Sequence, residues 1–307
     1  MSLGNWYYYK KKFKLITLKY ALRKSNKKNL LALTYEDGWG VQKPWHITYH
    51  STRCGFKIIG KPDLVIEREF NDGNTDYSIL YQTILKKVPK AFWFIDAHTA
   101  DINRVKYCDQ FDFVFVAQSP FINYVKKNTS CKNIFWLPLC FPKPANQITA
   151  HNTAIKHPVS FIGLYGKGYN RRVEMINFLA NEYKEKFFAV TDYNNPKLLA
   201  QASAVTTNCS LNNDLNFRVF ECLGYGTELV TDHVTDVDKI EGLTEQLYCY
   251  RDFNGLKKHI DELLAETPGK KHNISKVQQW VLDYHTLEQR IAQMLQMIDT
   301  GKQVEYK

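Results

Sequence analysis

Short, almost entirely apolar segments alternate with amphipathic segments along most of this 307-residue chain. A strand that is apolar on both faces must be covered on both sides, and helices placed between such strands make the covered sheet parallel. Strands are expected at residues 29–34, 56–59, 63–66, 91–95, 111–116, 134–137, 159–162, 187–190, 204–207 and 229–230. Helices are expected at residues 44–53, 76–87, 121–127, 171–183, 196–202, 256–264 and 277–298, and around residue 220. The pattern predicts an α/β fold with doubly wound parallel sheets.

A proline-marked stretch divides this alternation into two halves. Residues 138–158 include Pro142 and Pro144 and show little periodicity, and the alternation starts again after them. The sequence therefore predicts two α/β domains joined by a linker.

The positive charge of the chain is concentrated at its start. The formal net charge is +10, and residues 1–28 hold nine basic residues and no acidic one. Phe13, Ile16 and Tyr20 share a helical face, so this segment predicts a basic amphipathic helix. Such a helix contacts an anionic membrane surface or nucleic-acid phosphates, or it packs as a solvated leading helix on the first domain.

Cysteine spacing and hydropathy exclude several classes of protein. The seven cysteines are scattered and contain no Cys-x-x-Cys pair, which indicates a reducing compartment and no zinc site. The longest apolar run near the start is Leu15-Ile16, which is too short for a secretory signal, and no stretch has the apolar length of a transmembrane helix. We expect a cytoplasmic protein, with peripheral contact at a membrane as an option.

Ligands of open α/β sheets bind beyond the carboxyl ends of the strands, and four polar segments lie at such places here. In the first, Gly38-Trp39-Gly40, glycines let the backbone approach a ligand or simply form a tight turn. In the second, Asp96 and His98 follow a strongly apolar strand. They serve acid/base or hydroxyl-binding roles there, or they are a helix cap and a surface histidine.

The third segment combines glycines with cations at the start of a helix. Gly163 begins a stretch with three glycines, and Lys167, Arg171 and Arg172 follow it. Backbone amides, a helix N-terminus and cations together favour a phosphate group, although neither a Walker loop nor a dinucleotide fingerprint is present. The inner face of this helix is expected to be Val173, Ile176, Phe178 and Leu179.

The fourth segment spans residues 212–232 and has a narrow polar stripe on a mostly apolar helix. At 100° per residue the stripe contains Asp214, Arg218, Glu221 and Tyr225, preceded by Asn212, Asn213 and Asn216. Gly224 and Gly226 permit a left-handed turn that ends the helix. The simpler interpretation is a stripe that faces water. The alternative is an anion-binding helix start with a carboxylate, Glu221, placed to accept hydrogen bonds from a ribose diol.

These residues resemble the signature of CgeB-type (spore-maturation-like) glycosyltransferases. Residues 216–226 are Asn-Phe-Arg-Val-Phe-Glu-Cys-Leu-Gly-Tyr-Gly, and residues 229–232 are Leu-Val-Thr-Asp. Further similar segments follow in order: Pro62-Asp63-Leu64-Val65, Trp93-Phe94-Ile95-Asp96, Trp136-Leu137-Pro138-Leu139, Phe161-Ile162-Gly163 with Arg171-Arg172, and Tyr284-His285-Thr286. The resemblance covers about residues 60–295 and is strongest in the second half.

The resemblance implies the GT-B fold, two Rossmann-like domains with a nucleotide-sugar donor in the cleft between them. The basic aromatic segment 1–28 then precedes an acceptor domain, residues 29–145. Residues 146–280 become the nucleotide-sugar domain, similar to the C-terminal domain of glycosyltransferase family 1. Residues 281–307 contain a helix that crosses back to the first domain.

The resemblance also implies roles for individual residues. Glu221 would hold the donor ribose, and His98 with Asp96 would face the donor sugar or acceptor. The donor diphosphate would lie against Gly163, Lys167, Arg171, Arg172, Asn213, Asp214, Asn216 and Arg218, and the acceptor-side loop would be Gly38, Trp39 and Gly40. No cofactor and no metal is expected, because a helix dipole and cations can stabilise a leaving diphosphate.

One departure from the resemblance concerns the donor sugar. Many retaining relatives carry Glu-x7-Glu across this helix, and here the first position is Asn213 while the second is Glu221. Both retaining and inverting stereochemistry stay open.

The sequence therefore predicts a metal-independent glycosyltransferase that uses a nucleotide-diphosphate sugar such as a UDP-sugar. The acceptor would be a cell-surface glycan or a lipid-linked saccharide. The alternatives are a phage-type enzyme that glycosylates modified DNA bases, and a non-catalytic nucleotide-sugar-binding module.

Overall fold

The computed structural model describes residues 19–21, 29–34, 46–51, 57–59, 64–68, 88–141, 155–191, 200–265 and 274–307. These residues form two compact units. The described residues of Met1–Ala117, Phe121–Leu137 and Met297–Gly301 make up unit 1, and those of Gln118–Pro120, Pro138–Gln296 and Lys302–Lys307 make up unit 2. The donor cleft and the crossing of the last helix stay predictions.

Unit 1 contains a parallel sheet of six strands in the order β3-β2-β5-β6-β7-β8. The strands are β2 Asn29–Thr34, β3 His46–Ser51, β5 Leu64–Arg68, β6 Lys90–Phe94, β7 Phe113–Val116 and β8 Asn133–Trp136. A separate parallel pair joins β1 Lys19–Ala21 to β4 Lys57–Ile59. Helices α1 Ile102–Tyr107 and α2 Ile122–Asn128 follow β6 and β7. The apolar side chains of Leu64–Ile66 in β5, Ala91–Phe94 in β6 and Val114–Val116 in β7 are buried, as their sequences predict.

Unit 2 contains a parallel sheet of five strands in the order β10-β9-β11-β12-β13. The strands are β9 His157–Ile162, β10 Phe187–Val190, β11 Ser203–Thr207, β12 Glu228–Asp232 and β13 Tyr248–Tyr250. The helices are α3 Asn170–Tyr183, α4 Phe217–Tyr225, α5 Phe253–Leu264, α6 Ile274–Tyr284 and α7 Leu287–Thr300, of which the last four residues belong to unit 1. The prediction of two parallel-sheet α/β regions is therefore confirmed.

One predicted helix in unit 1 is a strand. Residues 44–53 were expected to be helical, but His46–Ser51 forms β3 and pairs in parallel with β2. Its sequence, HITYHS, contains β-branched and aromatic residues that favour a strand when a neighbouring edge is available. The predicted amphipathic helix at the start cannot include Tyr20, because Lys19–Ala21 forms β1. The rest of that helix, residues 76–87, residues 196–199 and Gly38-Trp39-Gly40 lie outside the described residues.

Two helices in unit 2 differ in detail from the sequence prediction. In α3 the buried side chains are Arg172, Met175, Leu179 and Tyr183, whereas Val173, Ile176 and Phe178 are only half-buried. Of the four residues predicted for the inner face, only Leu179 is fully buried, and Arg172 occupies part of the buried face. The predicted helix 277–298 is divided at His285-Thr286 between α6 and α7, where the Thr286 hydroxyl accepts a hydrogen bond from the Gln289 amide at 3.3 Å.

No helix in the described part of the chain is both long enough and apolar enough to cross a membrane.

Candidate functional site

The carboxyl ends of three neighbouring strands in unit 2 lie at the same level. Thr207 of β11 is in register with Phe161 of β9 and with Val230 of β12. The segments that leave these strands therefore begin side by side at one edge of the sheet, where ligands of parallel α/β sheets bind. Two of the four predicted site segments, around Gly163 and at residues 212–232, lie in or next to these segments.

The segment after β9 is a glycine-containing loop that leads into α3. Gly166 and Gly168 have φ angles of 113° and 90°, a left-handed region that side chains rarely adopt, so these two glycines are required for its path. Lys167 lies between them and is exposed. Gly163 is pinned to the neighbouring strand, since its amide donates to the carbonyl of Val190 at 2.9 Å.

The two predicted phosphate-binding arginines at the start of α3 have different surroundings. The side chain of Arg171 is 53% exposed, and one of its Nη atoms lies 3.7 Å from the Asp232 carboxylate. Arg172 is only 8% exposed. Its Nε donates to the carbonyl of Cys209 at 2.8 Å and its Nη1 donates to the carbonyl of Leu164 at 3.1 Å.

A buried carboxylate joins the segments after β11 and β12. Asp232, the last residue of β12, is 1% exposed and accepts hydrogen bonds from the amide and the hydroxyl of Ser210, at 2.8 and 2.5 Å. Neither residue was among the predicted site residues. The signal that could have identified Asp232 is a carboxylate directly after an apolar strand, as at Asp96.

The chain turns sharply before α4. Asn212 and Asn213 have left-handed φ angles of 51° and 63°, which asparagine adopts more readily than most residues. The side chain of Asn213 makes two bonds to Thr235: its Nδ2 donates to the hydroxyl at 2.7 Å and its Oδ1 accepts from the amide at 2.8 Å. The Asp214 carboxylate accepts from the Leu211 amide. Asp214 is buried and precedes α4, so its predicted place on the helix surface is wrong.

Helix α4 begins at Phe217 because Asn216 is its N-cap. The Asn216 side-chain oxygen accepts from the Arg218 amide at 3.1 Å, and its Nδ2 donates to the Asn208 side chain at 3.4 Å. The helix ends at Gly226, whose φ of 71° is the left-handed C-cap that the sequence predicts. Gly224 does not share that role, because it lies within the helix, where a side chain would collide with Phe141.

The polar stripe of α4 does not face water, so the simpler interpretation of the sequence is wrong. Arg218 and Tyr225 are buried, and the Tyr225 ring packs edge-on against Phe141. Arg218 Nη1 lies 2.7 Å from the Glu221 carboxylate, and the two side chains are 7% and 13% exposed. This ion pair lies in the first half of α4, near the carboxyl edge of the sheet. In this low-dielectric position each charge depends on the other for compensation.

Burial raises the pKa of two cysteine thiols near this edge. Burial raises the pKa of the Cys222 thiol to about 12, against the opposing effect of Arg218. Burial, with a contribution from Asp232, raises the pKa of Cys209 to about 11. Both thiols are therefore protonated at neutral pH. No group of three or more His, Cys, Asp or Glu side chains in the described ranges is arranged to hold a metal ion.

The second predicted segment belongs to unit 1. Asp96 and His98 follow β6, with His98 inside the 3-10 helix Ala97–Thr99 and both side chains half-buried. The Asp96 carbonyl accepts from the Thr99 amide at 3.1 Å, which closes this turn. The roles predicted for these two residues, and for the residues of unit 2, stay predictions.

A comparison with known protein families matches the part of the chain that contains the candidate site of unit 2. Residues 153–296 match the family model described as "Glycosyl transferase-like". No curated protein matches the sequence.

Solved structures are similar over most of the chain. A glycosyltransferase from Rickettsia africae has a TM-score of 0.59 at 9% identity, covering 89% of this chain and 98% of that chain. An α-glucosyltransferase solved with UDP and a 13-mer DNA containing an HMU base has a TM-score of 0.58 at 11% identity, covering 89% and 100%. A sucrose-phosphate synthase from Thermosynechococcus elongatus has a TM-score of 0.52 at 11% identity, covering 90% and 100%. At these identities the similarity shows the fold alone.

The fold and the site together define a class. The protein has the GT-B fold, with two Rossmann-like parallel-sheet units, as the sequence predicted. The matched region, residues 153–296, contains the whole carboxyl edge of the unit 2 sheet, so the candidate site of unit 2 lies in a glycosyltransferase-like part of the chain.

Proposed function

We propose that this enzyme transfers a sugar from a nucleotide-diphosphate sugar, and that the donor binds at the carboxyl edge of β9, β11 and β12. The observation that carries the proposal is the buried Arg218–Glu221 ion pair in the first half of α4, inside the matched region. A compensated ion pair next to a helix N-terminus offers an ordered carboxylate beside an anion-binding position.

In this proposal the diphosphate lies between the N-termini of α3 and α4. Lys167 and Arg171 supply exposed positive charge, and Gly163, Asn213, Asp214 and Asn216 shape the adjoining backbone. Helix-terminal amides and cations directed at a leaving diphosphate stabilise the charge that develops as the glycosidic bond breaks. We therefore propose transfer without a divalent metal.

Glu221 is proposed to bind the donor ribose. Arg218 Nη1 lies 2.7 Å from one carboxylate oxygen, and this charge attraction restrains the carboxylate. A fixed carboxylate accepts hydrogen bonds from two vicinal hydroxyls at little entropic cost. Two structures of similar fold were solved with UDP, so a UDP-sugar is the first donor to test.

The other predicted residues complete the proposal. His98, with Asp96, would orient the sugar or the acceptor, and Gly38, Trp39 and Gly40 would line the acceptor side. The CgeB-type assignment is proposed on the signature at residues 216–232. Because position 213 is Asn rather than Glu, both retaining and inverting transfer stay open, and the anomeric configuration of the product measures which one occurs.

A donor panel in EDTA tests this function. Binding of UDP-, GDP-, ADP-, CDP- and TDP-sugars is measured by calorimetry, followed by transfer or hydrolysis of the best ligand. Removing metal is expected to leave binding and turnover unchanged. Absence of binding to every donor would refute the proposal. A donor that binds without turnover on any acceptor would instead indicate the non-catalytic module.

A near-isosteric variant tests the ribose role. In Glu221→Gln the amide oxygen can still accept from Arg218, but the amide nitrogen then faces the ribose and cannot accept. Loss of these charged hydrogen bonds is expected to weaken donor binding about tenfold or more. The matched control is Glu185→Gln, an exposed glutamate on the 3-10 helix after α3. Equal affinities of the two variants would contradict the role of Glu221.

The acceptor is proposed to be a cell-surface glycan or a lipid-linked saccharide, with the cytoplasmic enzyme at the membrane surface through residues 1–28. A second acceptor, DNA with modified bases, is favoured by the nine basic residues of that segment and by the fold shared with an enzyme solved on such DNA. Removing residues 1–28 distinguishes the two. Loss of binding to anionic liposomes supports the first acceptor. Loss of salt-dependent binding to duplex DNA supports the second.

A further inference from the structure

The loop between β9 and α3 is fixed by few of its own side chains. Leu164, Tyr165 and Lys167 are exposed, so packing against the core contributes little to the shape of the loop. Within the described residues, the hydrogen bonds that tie its backbone include those of the Gly163 amide to Val190, of the Tyr169 amide to Gly166, of the Val173 amide to the Tyr169 carbonyl, and of Arg172 to the Leu164 carbonyl. The last of these is made by a charged side chain.

The same guanidinium holds a second segment. Arg172 Nε donates to the carbonyl of Cys209, which directly precedes Ser210 in the segment after β11. Arg172 therefore joins the loop after β9 to the segment after β11, while Asp232 joins the latter to β12 through Ser210. Both ends of the Arg172 link lie at the carboxyl edge, where the donor is proposed to bind.

Two of the three guanidinium nitrogens of Arg172 donate to carbonyls of the protein itself. Its plane also packs near Tyr169, with the guanidinium carbon 5.5 Å from the ring centre. In the described part of the chain no carboxylate forms an ion pair with Arg172, so its bonds go to backbone carbonyls. A planar fork of donors can satisfy two carbonyls at once, which a lysine ammonium on a flexible stem does less well.

We propose that Arg172 is a positioning residue for the diphosphate site. It sets the shape of residues 163–169, and so the place of Lys167, without touching the diphosphate, whereas Arg171 is the arginine that meets the ligand. This inference rests on the proposed donor site. It predicts that pyrophosphate affinity depends on the planar guanidinium at position 172 and only on a positive charge at position 171.

The test compares four variants, Arg172→Lys, Arg172→Met, Arg171→Lys and Arg171→Met, by calorimetry with inorganic pyrophosphate in EDTA. Pyrophosphate is the probe because it needs no choice of base or sugar. Arg172→Lys and Arg172→Met are both expected to bind pyrophosphate about tenfold more weakly than the wild type. Each variant loses the guanidinium hydrogen bonds to the Leu164 and Cys209 carbonyls, so the loop no longer holds Lys167 in place. Arg171→Lys is expected to stay close to the wild type, because a point charge is kept there, and Arg171→Met is expected to bind weakly.

A second measurement separates positioning from contact. Amide hydrogen exchange of residues 163–169 in the ligand-free protein is expected to rise in Arg172→Lys and to stay unchanged in Arg171→Lys. If the position-172 variants fail to fold, Tyr169→Leu replaces them, because it removes the ring that packs beside the guanidinium and so weakens the placement of Arg172 against the two carbonyls. It is expected to raise exchange in the same residues and to weaken pyrophosphate binding a few-fold.

Failure of the positioning role and failure of the proposed donor site give different results. Wild-type affinity in Arg172→Lys, or weak binding with unchanged exchange of the loop, would overturn the positioning role and leave the proposed function standing. Failure of the wild type to bind pyrophosphate or any nucleoside diphosphate would overturn the proposed donor site, and the inference would fall with it.

Discussion

Gly224 of α4 lies where only a glycine leaves room for the neighbouring ring. A Cβ atom at this position would lie 2.5 Å from Cδ2 of Phe141 and 2.8 Å from Cε2. Ordinary carbon–carbon contacts are about 3.5–4.0 Å, so either the ring or the helix would have to move by roughly 1 Å. Gly224→Ala is therefore expected to be destabilising, although alanine favours a helix.

The size of the effect follows from how firmly Phe141 is held. Its ring is fully buried and packs edge-on against Tyr225 with centroids 5.2 Å apart, and its amide donates to the carbonyl of His285 at 2.8 Å. Overpacking at such a site costs about 1–3 kcal/mol, and we expect the upper half of that range because the ring has no free side. Alanine returns about 1 kcal/mol through helix propensity. The net loss of unfolding free energy is then about 1–2 kcal/mol.

Urea unfolding of matched variants measures this value. Gly255→Ala in α5 is the control, because its Cβ would meet only Asp252 at 3.5 Å and Tyr250 at 3.8 Å, which are ordinary contacts. It is expected to raise stability by up to about 1 kcal/mol. Adding Phe141→Leu to Gly224→Ala should recover part of the loss attributed to the collision. A Gly224→Ala protein as stable as the Gly255→Ala protein would refute the reasoning.

Two further changes have expected directions. Gly226→Ala places a side chain at a φ of 71° and should lower the free energy of unfolding by about 1–2 kcal/mol in the same urea assay, without the recovery by Phe141→Leu. His285→Asn should make the fall of Tm between pH 7 and 5 less steep. Burial, and then the charge of Arg290, hold the pKa of His285 in the folded protein well below 6.5. As the pH falls through this range, the unfolded chain therefore takes up a proton at His285 that the folded protein does not, and the folded protein loses stability. An unchanged slope would show that other groups cause the fall.

The sequence could predict the strands because their apolar runs carry the information locally. Each of the predicted strand segments overlaps a strand of the described chain, and residues 229–230 lie inside β12. Three strands of the described chain were not predicted as strands, namely β1, β3 and β13. Residues 46–51 of β3 alternate polar and apolar side chains. That alternation fits a helix or a strand, and the choice depends on whether an edge such as that of β2 is open for pairing.

The candidate site shows where local information ends. Glycine at position 226 predicts left-handed backbone from residue type, and the structure has it there. Asn212 and Asn213 are also left-handed, which was not predicted although asparagine adopts this conformation more readily than most residues. The hydrogen bond of Arg172 to Cys209 depends on a carbonyl that is distant in the sequence, and the burial of Arg218 is likewise not visible in its local sequence. A periodic pattern identifies which residues share a face, but it does not reveal what covers that face.

The two ends of α4 have separate tasks, which follows from where its contacts lie. The last half is fixed by close packing, with Gly224 against Phe141 and the Gly224 carbonyl accepting from Gln278 of α6 at 2.9 Å. The first half has the polar groups, namely the Asn216 cap and the Arg218–Glu221 pair. A helix held rigidly at one end can present ordered amides and a carboxylate at the other without reorganising when a ligand arrives. Substitutions in the last half should therefore change the free energy of unfolding and leave donor affinity nearly unchanged, whereas Glu221→Gln in the first half should lower donor affinity as well as stability.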